Sequence, residues 1–420
     1  MTTDLAVIGG GAAGMLAAAE AALRGVKVVL LEPNAKLGRK LYITGKGRCN
    51  LTNDCLPDEV LRSVPRNGRF LYSAVTRFPP SAVKELFTGL GVALKTERGN
   101  RVFPQSDRAA DVIDALFSLL RARKVRILQE RALHVLTADG AVCGVQTDRQ
   151  EIKCKAIILA TGGVSYPLTG STGDGYAMAQ ELDHTVVPPM PSLVPLEAQG
   201  GDCKRMQGLA LKNVGVKVLT GKGKTVYKEQ GELLFTHFGV SGPLILSASA
   251  HMRDFKRERY HILIDLKPAL EEARLDERIL RDFEKMANRE FQNALDELLP
   301  RLMVPIVVER SGIPPGTRVH SITKAQRRAL LEVLKAFRVD ISGPRPIAEA
   351  IVTSGGVKVG EIDPKTMESK LADGLFFAGE VIDVDGYTGG FNLQIAWSTG
   401  KAAGEGAADY CMGAGLHDEV

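Results

Sequence analysis

The apolar run Leu5-Ala6-Val7-Ile8 passes without a spacer into Gly9-Gly10-Gly11-Ala12-Ala13-Gly14. This junction constrains the fold more than any other stretch. Four apolar residues read as a buried strand, and glycines at positions 9, 11 and 14 read as the opening of a helix directly behind it. Gly9 permits the tight turn, Gly11 lets the backbone approach a diphosphate, and Gly14 lets helix and strand pack closely. The amides at the start of the helix, around Ala12 and Ala13, then face an anion with the positive end of the helix behind them. A helix is expected from about Ala12 to Arg24, stopped by Gly25, and a second buried strand from Val26 to Leu31. Glu32 ends that strand, 18 residues after Gly14, where a carboxylate accepts hydrogen bonds from both ribose hydroxyls and repels a 2′-phosphate. These elements form one βαβ unit of a parallel, doubly wound sheet, so the fold class is α/β, and the dinucleotide it suits is FAD or NAD rather than NADP.

A second glycine-rich region lies near the other end of the chain. Leu375-Phe376-Phe377-Ala378-Gly379-Glu380 reads as a strand ending in glycine, and Gly389-Gly390-Phe391-Asn392 opens a helix rich in Ala and Gly that runs to about Ala408. A simple dehydrogenase needs no such return to the dinucleotide, whereas FAD does. The amides of Asn392 and Leu393 would face the N1–C2=O edge of the flavin, where negative charge develops on reduction. Between the two regions lies the stretch from Gly38 to Asn53. Gly45 and Gly47 let its backbone lie against a flat ring, Arg39, Lys40 and Arg48 offer positive charge to phosphates or a substrate acid, and Asn50 offers a donor. Cys49 reads as a small residue beside the ring, because a five-residue spacing to Cys55 with Asn, Thr and Asp between does not favour a redox disulfide. Ala156 to Ala160 is another buried strand, ending in Thr161 and Gly162.

Composition narrows the class. With 420 residues, 45% hydrophobic, the chain has ample core for two or three domains. Lys and Arg (54) nearly balance Asp and Glu (49), so the net charge of +5 reads as a solvated surface and no nucleic acid is expected. Six scattered cysteines without a CxxC pair suit free thiols in a reducing, cytoplasmic setting. No apolar run approaches the roughly 18 residues of a membrane span, and the N-terminal apolar stretch is a strand rather than a signal peptide. The histidines show no HxxxH or HExxH pattern, so no metal is expected. Helical patterning covers 81–91 and 107–124, and a strand pair is expected within 125–150. Four prolines between 188 and 195 mark a boundary. The expected organisation is a cofactor domain in two parts, 1–190 and 346–420. Between them lie a β-rich insertion at 191–268 and a helical cap at 269–345. For a proton donor the candidates are Tyr166, His237 and Tyr387, the last sharing a loop with Asp383 and Asp385.

Several stretches taken together resemble a known family. They are Gly45 to Asn53, Ala160-Thr161-Gly162-Gly163 with Gly170 to Gly175, Gly231 to His237, Thr353 to Val357, and Gly379-Glu380 through Asn392. They look like the BaiN/YhiN-type bacterial flavoproteins, among them bile-acid enone reductases and aminoacetone-oxidase-like proteins, and the resemblance covers nearly the whole chain. It implies a Rossmann-type, glutathione-reductase-like FAD-binding domain split by an inserted β-barrel-like domain and a helical cap. It places Glu32 at the adenosine ribose and Arg39 with Lys40 at the neighbouring phosphates or ribose. Ala132, where the family often carries a β-branched residue, would meet adenine through its backbone. Gly45 through Asn50, with Asn392 and Leu393, would surround the isoalloxazine, and Gly379, Glu380 and Gly390 would line the return.

The expected function is an FAD-dependent oxidoreductase acting on a small molecule. NAD(P)H would visit transiently, since no second glycine fingerprint holds it, and hydride would pass through the flavin to an activated C=C bond such as an enone. The alternatives are a flavin amine oxidase using O₂ and a non-catalytic FAD-bound module for RNA or protein, whose support is the basic stretches Arg121 to Arg126 and Arg253 to Arg259. Oligomeric state stays open.

Overall fold

The structure is a computed structural model, described here for residues 1–413; the last seven positions of the expected 346–420 segment lie outside the described residues. Five parallel strands form the central sheet, in the order Leu375–Phe377, Ala156–Leu159, Leu5–Ile8, Val28–Leu31 and Arg126–Leu128. Leu5 stands opposite both Ala156 and Val28, so the two neighbours flank the first strand in register. The strands Leu5–Ile8, Val28–Leu31 and Ala156–Leu159 are buried at every position, as a parallel sheet covered on both faces requires. The chain leaves Leu5–Ile8 toward one edge and later returns on its other side. The order of strands therefore reverses there, and a crevice opens at the carboxyl ends.

Two helices join the distant halves of the sequence. Ala12–Leu23 is apolar around most of its circumference, and Phe391–Met412 packs along it. Gly400 and Gly404, four apart, make that approach possible: a Cβ on either would stand 2.6 or 2.5 Å from the Ala13 or Ala17 carbonyl oxygen. Larger residues there would force the helices apart.

The helices patterned over 81–91 and 107–124 are Pro80–Gly89 and Ala109–Ala122. The strand pair expected within 125–150 is Ala132–Ala138 with Ala141–Thr147, and two further short strands flank it. Arg126–Leu128 joins the parallel sheet beside Val29–Leu31, while Ala132–Ala138, Ala141–Thr147 and Glu151–Lys153 make a separate antiparallel sheet. Asp139 and Gly140, both at positive φ, supply the tight turn between its first two strands.

The chain forms two compact units, Met1–Ser192 with the segment from Ile347 onward, and Leu193–Pro346. The second is a closed six-stranded barrel, in the order 196–198, 239–241, 225–235, 210–220, 260–265 and 337–344. Helices Glu272–Lys285, Val304–Ser311 and Lys324–Lys335 share its core, where Ile279, Val307 and Leu334 are buried together with Val216, Ile262 and Phe337. Phe337–Pro344 falls inside the stretch read from the sequence as helical, yet it closes the barrel by pairing with both Tyr260–Ile264 and Leu196–Ala198. Its buried residues alternate (Phe337, Val339, Ile341), a period-two signal short enough to be masked by the helix before it. Among the described residues no helix is long and apolar enough to cross a membrane.

Candidate functional site

The crevice at the carboxyl ends of Leu5–Ile8 and Ala156–Leu159 begins with the glycine turn. A Cβ on Gly9 would stand 2.4 Å from the Ala160 carbonyl oxygen, and one on Gly14 would stand 1.9 Å from that of Gly9. These two glycines let turn, helix and strand close on one another. Gly11 is different: nothing lies within 4 Å of its virtual Cβ, so its open side belongs to the crevice that it lines with Ala12 and Ala13. No side chain caps this helix, so its first-turn amides remain available to an anion. A glycine cradle with uncapped amides fits the diphosphate of FAD.

At the next strand end Glu32 faces the same crevice. Its Oε2 accepts from the Gly10 amide at 2.8 Å, and its Oε1 accepts from the Asn34 amide at 3.0 Å and from Asn34 Nδ2 at 2.6 Å. The carboxylate is thereby fixed at the wall where a ribose would lie. Arg39 Nη1 donates to Asn34 Oδ1 at 2.5 Å, and the two residues share the lining. Asn34, which carries no motif of its own, escaped the sequence reading.

Lys40 meets the far end of the chain. Its Nζ donates to Ser165 Oγ and to Glu380 Oε2, both at 2.6 Å, while Glu380 Oε1 accepts from Thr353 N at 2.8 Å and from Ser165 Oγ at 3.1 Å. Lys40 and Glu380 line the crevice, with Thr161, Gly162 and Gly379 on the same side and Ala132 on the wall beyond Glu32. Asn392 and Leu393 line it where the C-terminal helix opens. The Asn392 side chain is spent on its own loop: Oδ1 accepts from the Gly386 amide and Nδ2 donates to the Gly386 carbonyl, each at 2.8 Å. No side chain caps this helix either.

The loop 45–50 does not line this crevice, although Thr44 just before it does. Gly45, Lys46 and Gly47 all lie at positive φ, so the loop folds back tightly. The Arg48 guanidinium is paired with Glu97 and Asp107 and covers the Phe103 ring at 4.1 Å. Cys49 is wholly buried, and that burial pushes its thiol up to about 12. All six cysteines are free, and Cys55 is likewise raised by burial, to about 11. The Asn50 side chain donates to the Thr52 carbonyl at 3.2 Å and accepts from the Gly390 amide at 3.0 Å. A Cβ on Gly390 would strike the Thr52 carbonyl at 2.4 Å, so the loop and the second glycine turn are packed backbone to backbone.

The three proton-donor candidates divide between the two units, Tyr166 and Tyr387 in the first and His237 in the second. Tyr166, in left-handed conformation, ends at a short turn outside the crevice lining. Tyr387 is half-buried in the loop before Gly390, with its amide donating to the Ser63 carbonyl at 2.8 Å. His237 is exposed in the barrel unit beside the Phe238 ring. The same loop as Tyr387 holds two buried carboxylates, Asp383 and Asp385, tied to Arg66, Ser354 and Ser192. Arg66 was missed because it lies in a loop with no recognisable spacing. Among the described residues no group of three or more His, Cys, Asp or Glu is placed to hold a metal.

A family model, the HI0933-like protein Rossmann domain, matches residues 3–406. The 3-dehydro-bile acid delta(4,6)-reductase of Clostridium scindens is 32% identical over 410 residues, which cover 96% of this chain and 99% of that protein. The ribosomal RNA dihydrouridine synthase of Escherichia coli is 31% identical over 405 residues, 96% of this chain and 97% of that protein. Among solved structures, the 3-ketosteroid-delta4-(5alpha)-dehydrogenase of Rhodococcus jostii RHA1 aligns over 97% of each chain with a TM-score of 0.53 at 16% identity, a likeness of fold.

Proposed function

The chain belongs to the HI0933-like family and is an FAD-dependent oxidoreductase, and from that premise we propose that it saturates a C=C bond conjugated to a carbonyl, with NAD(P)H as the visiting reductant. The observation that carries the reading is the shared chemistry of two relatives matched over nearly their full length. One is named for reducing the Δ4,6 unsaturation of a 3-oxo bile acid, the other for turning uridine into dihydrouridine. In both, the bond that disappears is conjugated to a carbonyl. Bound FAD supplies two-electron chemistry suited to such a bond.

The roles proposed for this chain's residues follow their positions. The amides at Gly11, Ala12 and Ala13 receive the diphosphate, and Glu32 receives the ribose. Lys40, held by Glu380, adds positive charge beside the phosphates, and Ala132 meets adenine. The first-turn amides of Asn392 and Leu393 stabilise negative charge at the ring edge. Gly45 to Asn50 support the second glycine turn from behind through Asn50 and Gly390.

The test begins with FAD-loaded protein in an anaerobic cuvette. NADH or NADPH is expected to bleach the flavin absorbance, and a 3-oxo-Δ4 steroid or a uridine-containing ribosomal RNA to restore it, with the saturated product appearing in equal amount. Restoration by the RNA alone would assign the uracil ring as substrate. Bleaching by small amines only, with peroxide appearing in air, would replace the proposal with amine oxidation.

A further inference from the structure

We propose that Arg66 grips the carbonyl oxygen of the substrate and that Asp383 and Ser354 aim it. The inference rests on the conjugated-carbonyl reading above and adds the residue that would bear its developing charge.

The loop from Val381 to Gly389 leaves the crevice at Glu380 and re-enters it at Asn392, and Val384, between the two aspartates, lines the crevice itself. It lies on the side of the C-terminal helix, away from Glu32 and Ala132, and so at the ring end of the proposed cofactor site. The segment around Arg66 is bound to this loop. Tyr387 N donates to the Ser63 carbonyl at 2.8 Å, and Asn67 Nδ2 donates to the backbone carbonyl of Asp383 at 2.8 Å and to its Oδ2 at 3.1 Å.

Arg66 itself is half committed. Nη2 donates to Asp383 Oδ1 at 2.5 Å and to Ser354 Oγ at 3.3 Å. Ser354 Oγ in turn donates to Asp385 Oδ1 at 2.8 Å, and Ser192 Oγ donates to Asp385 Oδ2 at 2.7 Å. Asp383, Asp385, Ser354 and Ser192 are all buried, so the guanidinium is anchored on a rigid base. Its other nitrogens are not used. Nε is buried without a hydrogen-bond partner, and Nη1 has none among the described residues, although the side chain keeps 31% of its exposure. A buried, unsatisfied guanidinium N–H is costly to leave unmade. A planar oxygen acceptor would meet the guanidinium at Nη1, on its exposed edge, as carboxylates and phosphates meet guanidinium groups elsewhere.

The chemistry fits that acceptor. Hydride addition at the β-carbon breaks the C=C π bond and moves its electron pair through the conjugated system onto the carbonyl oxygen. A proton from water then closes the α-carbon, and the carbonyl re-forms. Arg66 loses no proton in this sequence; it holds the oxygen while that oxygen is negative. Asp383 is a positioning residue, since it acts on the substrate only through the guanidinium it holds.

The test uses FAD-loaded protein and 4-nitrophenolate, a planar oxyanion that mimics the enolate without turning over. Titration is read as a perturbation of the flavin spectrum. Wild type is expected to bind the phenolate. Arg66→Ala is expected to weaken it at least about thirtyfold, with Arg66→Lys between the two, and enone reduction is expected to fall on the order of a hundredfold or more. Asp383→Asn is expected to weaken phenolate binding less than Arg66→Ala. Retained flavin content and an unchanged melting temperature show that each variant folds, and Arg66→Gln replaces Arg66→Ala if the latter does not. Absence of phenolate binding by wild type, or binding by both Arg66→Ala and Arg66→Gln within threefold of wild type, overturns the proposal. Enone reduction by wild type with Arg66 variants unaffected would sink this inference alone. Arg66-dependent phenolate binding with no conjugated carbonyl reduced would sink the proposed function alone.

Discussion

The turn at Gly9–Gly14 and the loop at Gly45–Asn50 are both glycine-rich, yet one opens a helix while the other runs into the strand Thr52–Asn53, and they put their residues to opposite uses. In the first, Gly9 and Gly14 are pressed against backbone oxygens while Gly11 faces open space. Two glycines there serve the fold, and the third is the one proposed to meet the diphosphate. In the second, the side chains are already satisfied by the protein: Arg48 by Glu97 and Asp107, Cys49 by complete burial, and Asn50 by Thr52 and Gly390. Spacing in the sequence therefore names a turn, and only its neighbours in space say whom the turn serves.

The comparison breaks most sharply within the first turn. Gly14→Ala places a methyl carbon 1.9 Å from the Gly9 oxygen, so helix and strand must part. Overpacking of this kind costs about 3 kcal/mol, and the melting temperature of the apoprotein should fall by roughly 3–6 °C. Gly11→Ala meets nothing within 4 Å. Its apoprotein should melt within about 1 °C of wild type, while FAD affinity is expected to drop at least about tenfold, or about 1.4 kcal/mol, because the methyl group would take the place proposed for the diphosphate. Calorimetry on apoprotein and a fluorescence titration with FAD separate the two. Equal loss of stability in both variants would mean that Gly11 also serves the fold. Glu32→Gln is the milder probe. The amide keeps the shape but exchanges charge-assisted hydrogen bonds for neutral ones, which is expected to weaken FAD about fivefold, or about 1 kcal/mol. The same titration reads it, and an unchanged affinity would remove Glu32 from the ribose.

How much of this was legible beforehand follows the range of the interactions. The strand-turn-helix around Gly9 was readable because its apolar run and glycine spacing are written locally, and the same holds for the apolar run Leu375–Phe377 ending in glycine, although Gly9 closes on Ala160 and Leu375–Phe377 pairs with Ile157–Leu159 far away in the chain. The pairing of Lys40 with Glu380, 340 residues apart, leaves no trace in either local pattern. Nor does the docking of Gly400 and Gly404 on Ala13 and Ala17, although the small residues on both helices hinted at a close approach. The barrel strand Phe337–Pro344 was hidden behind the helical periodicity that precedes it. Arg66 had no pattern to announce it: what singles it out is a buried nitrogen without a partner, a property of three-dimensional packing alone.

The smallest expected effect sharpens the comparison from the side of the second loop. The sequence invites Arg48 to be read as a cofactor ligand, being basic and set between Gly47 and Cys49. In the structure its guanidinium is hydrogen-bonded to Glu97 and Asp107 over the Phe103 ring, about a third exposed, where ion pairs are weak and screened by salt. Arg48→Gln should therefore lower the melting temperature by no more than about 2 °C, a difference that vanishes near 1 M salt, and should leave FAD affinity within about twofold of wild type. A tenfold loss of affinity at unchanged stability would reverse the assignment. It would mean that Arg48 leaves Glu97 and Asp107 when FAD arrives, and that the tightly folded loop at Gly45–Gly47 is the hinge on which it turns.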